Sequence, residues 1–226
     1  MKRKTAILLG ATGLTGGILL QKLLEDERYE KVKIFTRKPI QIESAKIEEN
    51  LIDLFELNLF SDLFKADEVF CCIGSTQSKT PDNEVYRKVD FGIPATAAKL
   101  SKKNSINTFI VISALGADEK SRFFYNKTKG EMEGAVLEQQ IPNTYILQPS
   151  LISGNRSEKR PFEYFWKKVM KIGDYFLIGK LKKYRSIHPE TIAEAMLLLA
   201  NTNHPQKCII SDDIKDLVSY SNRTND

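Results

Sequence analysis

Tyr125 and Lys129 are the side chains of this 226-residue chain whose types and spacing point most directly to chemistry. They lie four apart in Phe123-Phe124-Tyr125-Asn126-Lys127-Thr128-Lys129-Gly130-Glu131-Met132-Glu133, a helix-like stretch, and that spacing puts both on one helix face. A free phenol has a pKa of about 10, too high for ready proton exchange at neutral pH. A neighbouring ammonium stabilises the phenolate and lowers that value. Tyr125 could then donate a proton to a carbonyl oxygen or take one from an alcohol. Lys129 could also hydrogen-bond a cofactor ribose. Ser113 ends a β-branched run, Asn107 to Ser113, and could hydrogen-bond the substrate oxygen. Taken alone, a Tyr and a Lys at this spacing also fit an ordinary helix surface.

A second constellation supplies the other half of a reaction. Gly10-Ala11-Thr12-Gly13-Leu14-Thr15-Gly16 follows the apolar run Thr5 to Leu9 and opens an amphipathic helix. Such a turn needs a residue tolerant of unusual backbone angles, and close approach of a pyrophosphate needs the absence of Cβ. The N–H groups that begin the helix then hold the phosphate charge. Gly10, Thr12, Gly13, Leu14, Thr15 and Gly16 are therefore candidate cofactor-binding residues, the alternative being a glycine-rich turn without a ligand. The end of the second strand reads Phe35-Thr36-Arg37-Lys38. An NAD site usually places a carboxylate there for the ribose hydroxyls. Here two cations stand ready for a 2′-phosphate, Arg37 bidentately and Lys38 as a point charge, which favours NADP(H) over NAD(H). Solvated strand-end cations are the alternative. Gly74, after the fourth strand, lets the backbone approach the cofactor.

The elements that must position these residues alternate along the chain. Strands are predicted at Thr5–Leu9, Lys31–Thr36, Ile47–Ile52, Glu68–Ile73, Asn107–Ser113 and Thr144–Gln148, with Cys208–Ile210 a candidate seventh. Helices are predicted at Leu14–Glu25, Val85–Lys103, Phe123–Gln140 and Pro189–Ala200. Ser219 to Asp226 reads as a frayed tail. This rhythm predicts an α/β, doubly wound parallel-sheet Rossmann fold with the cofactor over the carboxyl ends of the strands. After Pro149 the rhythm breaks. Residues 151–185 read as a small C-terminal substrate-side lobe of a single domain spanning 1–226. Its aromatics Phe162, Tyr164, Phe165, Trp166, Tyr175 and Phe176 could wall an apolar pocket, or equally form lobe core or a dimer contact.

Composition narrows the function classes. A net charge of +5, spread along the chain, permits an anionic cofactor but does not argue for nucleic acid. Three cysteines form no disulfide framework and fit a reducing cytoplasm. No Cys/His spacing suggests a metal. No stretch is long and apolar enough to span a membrane. The glycines within Met1 to Leu20 fit a strand–turn–helix and not a secretory leader.

The glycine turn, Ser113-Ala114-Leu115-Gly116-Ala117-Asp118, the Ser121 to Glu133 stretch and Leu147-Gln148-Pro149-Ser150-Leu151-Ile152 occur in that order. In this the chain resembles the atypical short-chain dehydrogenase/reductases, most closely the Tat-interacting-protein-like NAD(P)-binding oxidoreductases. The resemblance covers Lys4 to Ala200. It implies that Tyr125 and Lys129 are the Tyr-x-x-x-Lys pair and that Ser113 is one of the serines after the fifth strand. The second serine position is here Ala114. It also implies that Asp53 lies beside the adenine and that the Pro149 to Ile152 segment, with Pro149 and Leu151, passes beside the nicotinamide. Gln148 stands where many relatives carry Arg. By analogy, the long helices could form a four-helix homodimer contact.

The expected activity is NADPH-dependent reduction of a carbonyl or similar small-molecule electrophile, with Tyr125 as proton donor. The alternatives are an NADP(H)-sensing regulatory or scaffold protein without turnover, which Ala114 favours mildly, and a sugar-nucleotide epimerase or dehydratase. The short region after Pro149 leaves little room for the last.

Overall fold

The computed structural model describes residues 3–76, 78–153, 182 and 184–224. Most of the expected lobe at 151–185, including all six of its named aromatics, lies outside the described residues. Seven strands form one parallel sheet: β1 (Lys4–Leu9), β2 (Tyr29–Thr36), β3 (Ile47–Leu51), β4 (Glu68–Cys71), β5 (Thr108–Ile112), β6 (Asn143–Gln148) and β7 (Cys208–Ile210). Their spatial order is β3-β2-β1-β4-β5-β6-β7. The chain runs outward from β1 to β3, then crosses back to β4 on the other side of β1. The order therefore reverses between β1 and β4, where the parallel-sheet topology opens a crevice at the carboxyl ends.

The sheet is buried on both faces because its strand residues alternate between two cores. Ala6 and Leu8 point to one core, with Leu19, Leu20 and Leu23 of α1 (Leu14–Glu25). Ile7 and Leu9 point to the other, with Met132 and Val136. Each fully buried Leu, Ile, Met or Val side chain among these contributes about 1.5–3 kcal/mol of transfer free energy. The adjacent cysteines follow the same alternation. Cys71 joins the second core, where burial pushes its thiol up to about 11. Cys72 faces the first, with its Sγ 3.8 Å from Met196 Sδ.

The expected single helix over Val85–Lys103 is three segments: α2 (Asn83–Arg87), a π turn (Lys88–Gly92) and α3 (Ile93–Lys103). Asp82 caps α2, accepting from Glu84 N–H at 2.8 Å and Val85 N–H at 3.0 Å. The wide turn precedes Pro94, which has no N–H to return to Asp90 and whose ring crowds that carbonyl. α4 (Phe124–Leu137) is shorter at both ends than expected. After α5 (Pro189–Asn201) and β7, α6 (Ser211–Thr224) occupies most of the expected tail. Ile214, Leu217 and Val218, at helical spacing, pack on the first core and hold it. A 3₁₀ segment, Leu54–Phe60, had no periodic signal and follows β3.

Candidate active site

A cleft of about 1020 Å³ opens over the carboxyl ends of β1, β4, β5 and β6. The glycine turn forms its floor. Gly10 has φ +88, and a Cβ there would lie 2.8 Å from the Cys72 carbonyl carbon and oxygen, so β1 and β4 leave the sheet back to back at the topological switch. Gly16 packs on the Gly10 carbonyl, 2.1 Å from where its Cβ would be. The first intrahelical bond runs from Gly17 N–H to Gly13 O at 2.8 Å. The N–H groups of Leu14, Thr15 and Gly16 thus have no acceptor within α1. Neither a capping side chain nor an acidic residue occupies this helix start. The Cβ-free cradle and the free helix start fit a pyrophosphate.

Across the cleft, Tyr125 and Lys129 project from one face of α4, and both line the cavity with Ser113 and Gly74. Lys129 is 4% exposed at its side chain, and its Nζ lies 2.8 Å from Oδ1 of Asp90, which is fully buried in the π turn. The other Asp90 oxygen accepts from Ser75 N–H at 2.8 Å. One carboxylate therefore ties the loop after β4 to the lysine. A Cβ on Gly74 would sit 3.5 Å from Asp90 Oδ1 and 3.6 Å from Lys129 Nζ, so the glycine leaves the ion pair open to the cleft. The Tyr86 ring stands 6.1 Å from that of Tyr125. Burial, with the nearby Asp90 charge, pushes the Tyr86 hydroxyl far above the usual phenol range. Tyr125 is the one of this pair that faces the cleft.

Ser113 is 4% exposed, and its Oγ is within hydrogen-bond reach of Glu133 Oε1. Gln148 Nε2 donates to both oxygens of the same carboxyl, at 2.9 Å each. Burial raises the Glu133 pKa, against the lowering effect of Ser113, Gln148 and the Lys129 charge. Sequence reasoning missed both Asp90 and Glu133. Glu133 carried a signal, since Tyr125, Lys129 and Glu133 form a four-residue stripe along α4. Asp90 carried a weaker one, a carboxylate on the otherwise apolar face of Tyr86, Ile93 and Ala97.

The remaining expected residues fall in three places. Thr12, Gly13, Leu14, Thr15, Pro149 and Leu151 line the main cleft. Arg37 and Lys38 are exposed just beyond β2, and neither borders that cleft. They are near the glycine turn, because Phe35 pairs with Leu9. Asp53 caps the 3₁₀ segment through Phe55 N–H at 3.0 Å and borders a separate hollow of about 380 Å³ with Lys88, Gly92 and Thr96. Among the described residues, no group of three or more His, Cys, Asp or Glu is placed to hold a metal ion.

Gly130 explains how α4 approaches the serine loop. A Cβ there would lie 2.2 Å from Glu119 N and 2.3 Å from Asp118 C. Gly130→Ala is expected to push α4 off the 113–121 loop and lower stability by about 1–3 kcal/mol, measured by urea denaturation.

Residues 10–151 match the family described as NAD(P)H-binding. The chain is 30% identical over 172 residues to protein HTATIP2 of Rattus norvegicus, covering 74% of this chain and 71% of that protein. It is 33% identical over 161 residues to the mitochondrial protein FMP52 of Meyerozyma guilliermondii, covering 70% and 68%. Among solved structures, the Bordetella bronchiseptica enzyme WbmG in complex with NAD superposes with a TM-score of 0.71 at 12% identity, over 97% of this chain and 79% of that one. The Thermotoga maritima UDP-glucose 4-epimerase superposes with a TM-score of 0.68 at 14% identity, over 96% and 83%. At these identities the two structures report the shared fold.

Proposed function

Since the chain belongs to the NAD(P)H-binding, atypical short-chain dehydrogenase/reductase family, we propose that it is an NADPH-dependent oxidoreductase that reduces a carbonyl or similar small-molecule electrophile. The observation that carries this reading is the placement of Tyr125 and Lys129 on one cleft wall, opposite the glycine turn. The N–H groups of Leu14, Thr15 and Gly16 would hold the pyrophosphate, Lys129 a ribose, and Arg37 and Lys38 the 2′-phosphate. Asp53 would lie on the adenine side, and Gly74, Pro149 and Leu151 on the nicotinamide side. When bound, NADPH supplies the hydride that goes to the carbonyl carbon. Tyr125 gives its hydroxyl proton to the carbonyl oxygen, and the Lys129 ammonium stabilises the phenolate left behind until solvent returns a proton. Ser113 orients the substrate oxygen.

A second reading, a cofactor sensor without turnover, is favoured by one observation. Ala114 brings no hydroxyl to the cleft, and the Ser113 hydroxyl is engaged by Glu133. As to compartment, no helix among the described residues is long and apolar enough to cross a membrane. The free thiols of Cys71, Cys72 and Cys208 suit a reducing compartment, which covers both the expected cytoplasm and the mitochondrial designation of the FMP52 relatives.

The cofactor assignment is tested by fluorescence titration with NADPH and NADH. Arg37→Ala is expected to weaken NADPH binding about tenfold or more, in keeping with the loss of a charge-assisted hydrogen bond, and to leave NADH unchanged. Equal weakening of both, or of neither, would remove Arg37 from the 2′-phosphate site.

A further inference from the structure

Glu133 and Ser113 form a buried pair with one unassigned degree of freedom, the direction of the hydrogen bond between them. A serine hydroxyl has one proton to give and lone pairs to accept with. When Glu133 is ionised, it can only accept, so the Ser113 proton is spent on the carboxylate. Ser113 then presents lone pairs to the cleft, and these oppose the lone pairs of a carbonyl oxygen. The Ala114 side chain offers no substitute donor. When Glu133 is protonated, its O–H can donate to Ser113 Oγ, and the serine proton is released toward the substrate. The same heavy-atom positions serve both states.

We propose that Glu133 is a positioning residue that sets the polarity of Ser113, so that the site grips a carbonyl oxygen through the serine only while Glu133 holds its proton. This rests on the reductase reading for its consequence in turnover. The pair itself is a property of the protein alone. The third partner makes the carboxyl titratable. Gln148 is neutral, so it supports either state through its amide hydrogens, whereas a cation at that position would hold Glu133 ionised. Among the described residues, two other titratable groups interact with the carboxyl. Lys129, one turn earlier on α4, favours the ionised form, but its charge is shared with Asp90. The Cys208 thiol, on β7, feels the Glu133 charge and is raised by burial and by that charge.

The test has one arm that needs turnover and one that does not. In the first, kcat/KM for a carbonyl substrate with saturating NADPH is followed against pH. The wild type is expected to lose about 100-fold as Glu133 ionises, the scale of one lost donor to a developing oxyanion. Glu133→Gln keeps a donor toward Ser113 and an acceptor toward Gln148, so it is expected to abolish that loss at every pH. Ser113→Ala is expected to make Glu133→Gln silent, because the two act through one hydrogen bond. A pH profile unchanged by Glu133→Gln would overturn the proposal. In the second arm, the protonated-carboxyl infrared band of the unliganded protein is titrated. A band that disappears only above the ordinary glutamate range, shifts in Ser113→Ala and vanishes in Gln148→Arg supports the pair. Absence of such a band in the wild type overturns it. If no carbonyl compound is turned over by the wild type, the reductase reading fails, and the infrared arm alone decides the proposal.

Discussion

Replacing Tyr125 with phenylalanine is expected to lower carbonyl turnover by about 10²- to 10⁴-fold, the usual contribution of a positioned acid, while NADPH still binds with wild-type affinity. The substitution removes one oxygen and keeps the ring that packs at a tilt beside Tyr86, 6.1 Å away. Tyr86 is no replacement. Its hydroxyl is held far above the usual phenol range by burial and by the Asp90 charge, which makes it a weak acid at any working pH. Single-turnover kinetics with preloaded NADPH separate the two terms, binding amplitude from rate. A variant that retains wild-type rate would move the proton donor elsewhere in the cleft.

The second large effect concerns stability. Asp90→Ala is expected to destabilise the fold by about 3–5 kcal/mol, because it strands the Lys129 ammonium in a site where the side chain is 4% exposed. It also leaves Ser75 N–H without its acceptor. Asp90→Ala combined with Lys129→Met removes both charges and is expected to recover most of that loss, since an apolar pair need not be desolvated. Denaturant melts of the single and double variants measure the coupling. If Asp90→Ala alone melts like the wild type, the buried ion pair does not hold the β4 loop to α4. The pair also has a functional side. A lysine fixed by a carboxylate is pre-positioned, but its charge acts on Tyr125 less strongly than an unpaired ammonium would.

The strand positions and the Cβ-free glycine turn were legible in the sequence because both depend on local signals. Thr5 to Leu9 is continuously apolar, as a strand buried on both faces must be, and the glycines that follow fit a turn that tolerates no Cβ. Tyr125 and Lys129 were legible for a similar reason, being one helical turn apart. Residues that act through tertiary partners were not. Asp90 reads as one polar position in a long helix. The π turn that aims it at Lys129 comes from Pro94 crowding the backbone four residues earlier and has no periodic signature. Glu133 lay on the visible stripe, but its role depends on the ends of β5 and β6 bringing Ser113 and Gln148 to it. α6 was obscured by composition. Asp212, Asp213 and Asp216 surround Ile214, Leu217 and Val218, and the helix is held by their contact with the first core rather than by propensity.

We propose that in this cleft bound NADPH reduces a carbonyl and Tyr125 protonates the product oxygen. The most direct measurement is single-turnover oxidation of protein-bound NADPH across a panel of aldehydes and ketones, with quantification of the alcohol formed. The expected result is NADPH loss with at least one member of the panel, one alcohol per NADPH consumed, and loss of the reaction in Tyr125→Phe. Tight NADPH binding with no oxidation across the panel would contradict it and leave cofactor sensing as the function of the same site.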